Sequence, residues 1–101
     1  MIEMDPSKLY EKAGDASALL TAMANRNRLM ILCNLLSGET NVNELMAKVG
    51  MNQSALSQQL ARLRAADLVA TRRDGQQIFY RLASSEVERV LAVLYDIYCA
   101  E

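Results

Sequence analysis

The stretch "TNVNELMAKVGMNQSALSQQLARLRAADL", residues 40–68, constrains the fold most, because it reads as two helical segments that meet across only a few residues. Asn41 and Glu44 form an N-x-x-E capping box for the first segment, Gly50 breaks the pattern, and Asn52 can cap the second. In a helix over Gln53–Ala66, Leu56, Leu60 and Leu63 fall within about 60° of one another and make the core face. Ser54, Ser57, Gln58 and Ala61 lie opposite, with Arg62 at the border.

The flanking segments fill out the topology. In "LVATRRDGQQIFYRL", β-favouring runs flank Asp74-Gly75, a tight-hairpin signal. "SSEVERVLAVLYDIYCAE" is a further helix, started by Ser84 or Ser85 and striped by Val87, Leu91, Leu94 and Tyr98. Upstream, Asp5 is a good N-cap and Pro6 suits the first helical position. Leu9, Ala13, Ala16, Leu20 and Met23 then recur at helical spacing, a stripe that packs either on the chain's own core or on a second copy. "RNRLMILCNLLSGE" is apolar nearly all round and stops at Gly38, as a buried helix with a glycine cap would. Helix, short turn, helix, then a hairpin with arginines near its tip is the order of a winged helix-turn-helix. The expected fold is mainly α with a small β-hairpin: four helices, two strands and a last helix in a single domain over 1–101. Residues 41–66 are its helix-turn-helix, 67–82 the wing, and 5–24 and 84–99 the candidate dimerisation helices.

A chain of 101 residues, 51% of them hydrophobic, supports one core. Its net charge of -1 does not describe a globally basic nucleic-acid binder, but the charges are segregated. Residues 53–81 hold Arg62, Arg64, Arg72, Arg73 and Arg81 against Asp67 and Asp74, whereas the last twenty residues hold Arg89 against Glu86, Glu88, Asp96 and Glu101. A basic segment within an acidic whole suggests one face built to meet an anion. Hydroxyl and amide side chains such as Gln53, Ser54, Ser57 and Gln58 can hydrogen-bond base edges in a major groove, although the same residues also keep exposed helices soluble. Arg72 and Arg73, just before the hairpin turn, add two cations where a wing would straddle the phosphate backbone, and they tip the reading towards double-stranded DNA. Arg81 could help from the returning strand or pair with a carboxylate.

With no histidine, the chain lacks the commonest general base and the commonest metal ligand, and no acid, base and nucleophile cluster can be assembled for an enzyme. Two cysteines cannot complete a tetrahedral zinc site without carboxylates or a partner chain. No cofactor or metal is expected. No apolar stretch approaches the roughly 20 residues that span a bilayer, and "MIEMDPSK" lacks the layout of a secretory signal, so a cytoplasmic location without membrane contact is the expectation. In a reducing compartment Cys33 and Cys99 are either unrelated packing residues or the two halves of one reactive site. On the wheel Cys33 falls near Leu29 and Leu36 and is expected to face inward. Cys99 lies off the apolar stripe, on a turn that should fray, and its acidic neighbours Asp96 and Glu101 count against very fast reaction with peroxide.

From "LLTAMANRNRLM" to "IFYRL" the chain resembles the ArsR/SmtB family of bacterial winged-helix repressors, most densely in "QSALSQQLARLRAADLV" and "RRDGQQIFYRL". The resemblance implies a homodimer formed largely by the first and last helices, bound to an imperfect palindromic operator and released by an inducer. It would set Gln53, Ser54, Ser57 and Gln58 in the major groove and Arg72 and Arg73 in the wing; Arg62, at the border of the same helix face, completes the expected DNA-binding set. Metalloid-sensing members carry Cys-x-Cys where this chain reads Glu44-Leu45-Met46-Ala47-Lys48, and zinc-sensing members use histidines that are absent here. Cys33 and Cys99 instead resemble the dithiol branch, which implies release from DNA when reactive sulfur species or oxidants bridge the two. A constitutive regulator or anti-repressor without a thiol switch is the alternative, with a metal-responsive repressor or a winged-helix module that binds protein ranked below it. Gln59 stands where many members of the family carry histidine, which puts sequence preference there in doubt.

Overall fold

The computed structural model describes residues 4–100; Glu101, counted above among the acidic neighbours of Cys99, and residues 1–3 of the opening segment lie outside them. Among the described residues, six helices and three strands are arranged in the order α1 (Pro6–Glu11), α2 (Ala13–Met23), α3 (Arg26–Leu35), β1 (Thr40–Asn41), α4 (Val42–Val49), α5 (Gln53–Ala65), β2 (Val69–Asp74), β3 (Gln77–Leu82) and α6 (Ser85–Tyr98). The antiparallel sheet has the order β1-β3-β2. This is the winged helix-turn-helix expected from the sequence.

The caps do what their residue types allow. Asp5 accepts from the Ser7 amide, Asn25 from Asn27 and Arg28, Asn41 from Glu44, Asn52 from Ala55, and Ser84 from Val87, so each helix except α2 begins on a side-chain acceptor for its unpaired amides. Gly50 ends α4 at φ 71°, a left-handed conformation that glycine takes without strain. The end of α5 uses an aspartate instead. Asp67 sits at φ 61°, the Asp67 amide donates to the Arg64 carbonyl at 3.0 Å, and the Leu68 amide reaches back to the Leu63 carbonyl at 2.9 Å. These are the two bonds of a Schellman cap, closed by burial of both Leu63 and Leu68.

One core gathers Met23, Ile31, Leu32, Leu35, Leu45, Leu56, Leu60, Leu63, Leu68, Val69, Val87 and Leu91. It joins α3, α4, α5, the base of the wing and the first half of α6.

The structure departs from the sequence reading at six places, the first being β1, a third strand beside the expected two-stranded hairpin. The single helix expected over 5–24 breaks at Lys12, whose amide turns back to the Leu9 carbonyl at 2.9 Å; Gly14, a weak helix former, comes next but one, and α1 buries no side chain that could hold a continuous rod. Of the stripe proposed there, only Met23 is buried, while Leu9 and Leu20 are exposed and Leu19 and Ala22 take the inward positions. Cys33 faces outward, not inward: α3 buries Ile31, Leu32 and Leu35, and Cys33 points away from that stripe together with Met30 and Leu36. An all-round apolar helix offers a wheel no preferred side, so the choice fell to packing. Tyr98 ends up 80% exposed and leaves Val87 and Leu91 as the buried part of α6. The hairpin turn lies one residue later than expected. Asp74 pairs with Gln77, leaving Gly75-Gln76 as the two-residue loop, with positive φ at Gly75 as a type II′ turn requires.

Candidate nucleic-acid interface

The helix-turn-helix is fixed from inside. Leu45 of α4 and Leu56, Leu60 and Leu63 of α5 are fully buried, so the helical repeat obliges Gln53, Ser54, Ser57, Gln58, Ala61 and Arg62 to face solvent, and all six are exposed. The polar face expected from the sequence is therefore present on one helix, with the donors and acceptors of Gln53, Ser54, Ser57 and Gln58 accessible. Gln59 is different. It is half-buried, and its Oε1 accepts a hydrogen bond from Arg28 Nη1 at 3.2 Å, so the side chain engages the protein instead of joining that face.

The wing stands beside the start of α5. Between them lies a groove lined by Asn41, Asn43, Gln53, Gln76 and Gln77 with Val42 and Ile78. Asn41 Nδ2 donates to Gln77 Oε1 across it at 3.2 Å. Sequence reasoning missed Asn43, Gln76 and Gln77; the amide run next to the hairpin glycine was visible, but only the register of β2 on β3 turns it towards Gln53.

The two wing arginines occupy opposite faces of β2, as alternate residues of a strand must. Arg73 is exposed near the tip, its Nε donating to the Gly75 carbonyl at 3.2 Å. Arg72 is held. Its Nε and Nη2 reach Glu39 at 3.0 Å and 2.7 Å, and its guanidinium lies 4.8 Å over the ring of Phe79, the residue opposite it on β3. The hydrogen bond from Arg72 holds the Glu39 carboxyl below the ordinary carboxylate range, and Glu39 in turn raises Arg72. Arg72 thus braces the wing against the turn before β1, and its charge is already partly met.

Both cysteines are free and exposed. Cys33 lies on the outer face of α3, and Cys99 forms the C-cap of α6, its amide donating to the Tyr95 carbonyl at 2.8 Å.

Comparisons with known proteins agree with this architecture. Residues 25–71 match the bacterial regulatory protein, arsR family. The transcriptional activator HlyU of Vibrio cholerae is 45% identical over 96 residues, covering 95% of this chain and 89% of HlyU. A structure of reduced HlyU superposes with a TM-score of 0.85 at 46% identity, over 91% of this chain and 97% of that one. The biofilm growth-associated repressor of Agrobacterium fabrum is 47% identical over 92 residues, 91% of this chain and 79% of the repressor. The crystal structure of the repressor BigR from Xylella fastidiosa gives a TM-score of 0.92 at 39% identity, over 97% of this chain and all of that one. The chain belongs to the ArsR family. Like its relatives it is a DNA-binding transcriptional regulator and not an enzyme. No helix among the described residues is long and apolar enough to cross a membrane.

Proposed function

We propose that this ArsR-family regulator is a thiol-switched repressor: a homodimer that grips an imperfect palindromic operator and lets go when reactive sulfur species or oxidants bridge Cys33 and Cys99. In this reading Gln53, Ser54, Ser57 and Gln58 read base edges, while Arg62, Arg73 and the braced Arg72 meet phosphates.

The observation that carries the switch is that two free, exposed thiols sit on α3 and α6, helices that share one core. The outward turn of Cys33 favours this over a packing role, since a thiol that merely fills space belongs inside. A thiolate attacks the outer sulfur of a low-molecular-weight persulfide, takes that sulfur and releases a thiol. The second cysteine then attacks the protein-side sulfur, closing a disulfide and expelling hydrosulfide; if both cysteines are persulfidated first, one displaces hydrosulfide from the other and a trisulfide remains. An oxidant such as peroxide accepts the same two electrons directly. Bridging ties the end of α6 to α3, and α6 also carries exposed Val93, Tyr95, Ile97 and Tyr98, a surface suited to a second copy, so a strained α6 would shift the two recognition helices apart.

Anaerobic titration of duplex DNA, selected by the reduced protein from a randomised pool, before and after treatment with glutathione persulfide tests both parts. Expected are loss of binding after treatment and a mass increase or bridge joining the Cys33 and Cys99 peptides. Unmodified thiols with unchanged affinity would leave a constitutive regulator, and absence of binding by the reduced protein would overturn the operator reading.

A further inference from the structure

We infer that Arg28 and Gln59 form a strut that sets the angle of the recognition helix relative to the dimerising half of the molecule, and thereby the operator half-site spacing the dimer accepts. The inference rests on the dimeric DNA reading above and concerns residues outside the DNA-facing set.

Arg28 lies in the first turn of α3, its amide held by Asn25 Oδ1 at 3.1 Å. Its half-buried side chain makes a three-way joint. Nε donates to the Ala22 carbonyl at 2.8 Å and Nη2 to the Thr21 carbonyl at 3.4 Å, both in the last turn of α2, where the Thr21 carbonyl also accepts from the Ala24 amide at 3.3 Å. Nη1 donates to Gln59 Oε1 on α5. Around this joint the two helices are separated by a groove, with Thr21 and Ala22 on one wall, Arg62 and Leu63 on the other and Arg28 lining it between them. A planar guanidinium with several fixed donors defines direction as well as distance, which a sliding apolar contact does not.

The two ends of the strut belong to different tasks. α1 leaves Leu9 and Tyr10 and α2 leaves Leu20 exposed for a partner, while α5 presents Ser54, Ser57 and Gln58. Leverage makes small changes matter. A 13-residue helix is about 20 Å long, so a swing of about 10° moves its far end by about 3.4 Å, the rise of one base pair. In a dimer the error is doubled by symmetry.

The test measures affinity of wild type, Gln59→Leu, Gln59→Glu and Arg28→Lys for three duplexes: the one wild type selects from a randomised pool, and versions with one base pair added or removed between half-sites. Circular dichroism confirms folding of each variant. Wild type is expected to prefer its selected spacing, Gln59→Glu to keep that preference through a charge-assisted bond, and Gln59→Leu and Arg28→Lys to lower the ratio between correct and altered spacing by about tenfold. Combining Arg28→Lys with Gln59→Leu should cost no more than either change alone. General destabilisation would weaken all three duplexes alike and leave the ratio intact. A wild type that binds no duplex, or all three equally, overturns the dimeric operator reading and this inference with it. A wild-type preference preserved in Gln59→Leu and Arg28→Lys overturns the strut alone.

Discussion

At the scale of single residues, the chain uses a few side chains against their usual preferences. Asp67 holds a left-handed conformation, which costs an L-residue about 1–2 kcal/mol relative to glycine, yet this residue closes the cap that turns α5 into β2. Asp67→Gly is therefore expected to raise the unfolding free energy by about 1 kcal/mol, measured by urea denaturation, without altering DNA binding. The same scale shows what a sequence can and cannot reveal. Asn52, Gly50 and the leucines at 56, 60 and 63 were legible because cap chemistry and helical repeat act over a few residues. The outward turn of Cys33 was not, because leucine, isoleucine and methionine surround it on every side of the helix. Nor was the engagement of Gln59 by Arg28, a contact spanning 31 residues that only the assembled fold creates.

At the scale of elements, the wing is held to the body by an ion pair between exposed groups. The Glu39 carboxyl has a depressed pKa in the folded chain, so its contribution is present above the ordinary value of 4.5 and is lost as pH falls through the lower, folded value. The Arg72 Nε–H resonance should accordingly keep a protected position at neutral pH and move to that of a free arginine as pH falls through the depressed Glu39 pKa, whereas Glu39→Gln should show the free position throughout. The wing arginines then separate in a salt titration of DNA binding. Arg73→Ala is expected to reduce the slope of log affinity against log salt by about 1, and Glu39→Gln to steepen it because the charge that Arg72 brings to phosphate is no longer partly met by a carboxylate. Hairpin, charge and basic tip were readable in "TRRDGQQ"; the identity of the arginine that stays free depended on strand alternation and on a glutamate 33 residues upstream.

At the scale of the whole molecule, the chain is extended for its size. Its radius of gyration is 15.1 Å, against about 13 Å for a compact chain of this length. Outside the core, α1, α2 and the end of α6 carry exposed Leu9, Tyr10, Leu20, Val93, Tyr95, Ile97 and Tyr98. Seven large apolar side chains outside the core on these three helices are more than a small domain leaves bare without a use. Leu20→Glu combined with Ile97→Glu should yield a folded monomer in sedimentation or light scattering, and a dimer that persisted would place the contact elsewhere.

The two-residue strand β1 has a consequence out of proportion to its length. Thr40 and Asn41 pair with Tyr80 and Phe79 of the wing, Asn41 also caps α4, and the buried Thr40 hydroxyl is anchored to Glu44 at 2.7 Å. Hairpin and helix pair are thereby riveted into a single reading head. In the proposed switch an inducer would therefore not unhook the wing while leaving the helices seated; it would tilt the two heads of the proposed dimer against each other, and the signal passed to the genome would be an angle between rigid bodies, not the melting of a loop.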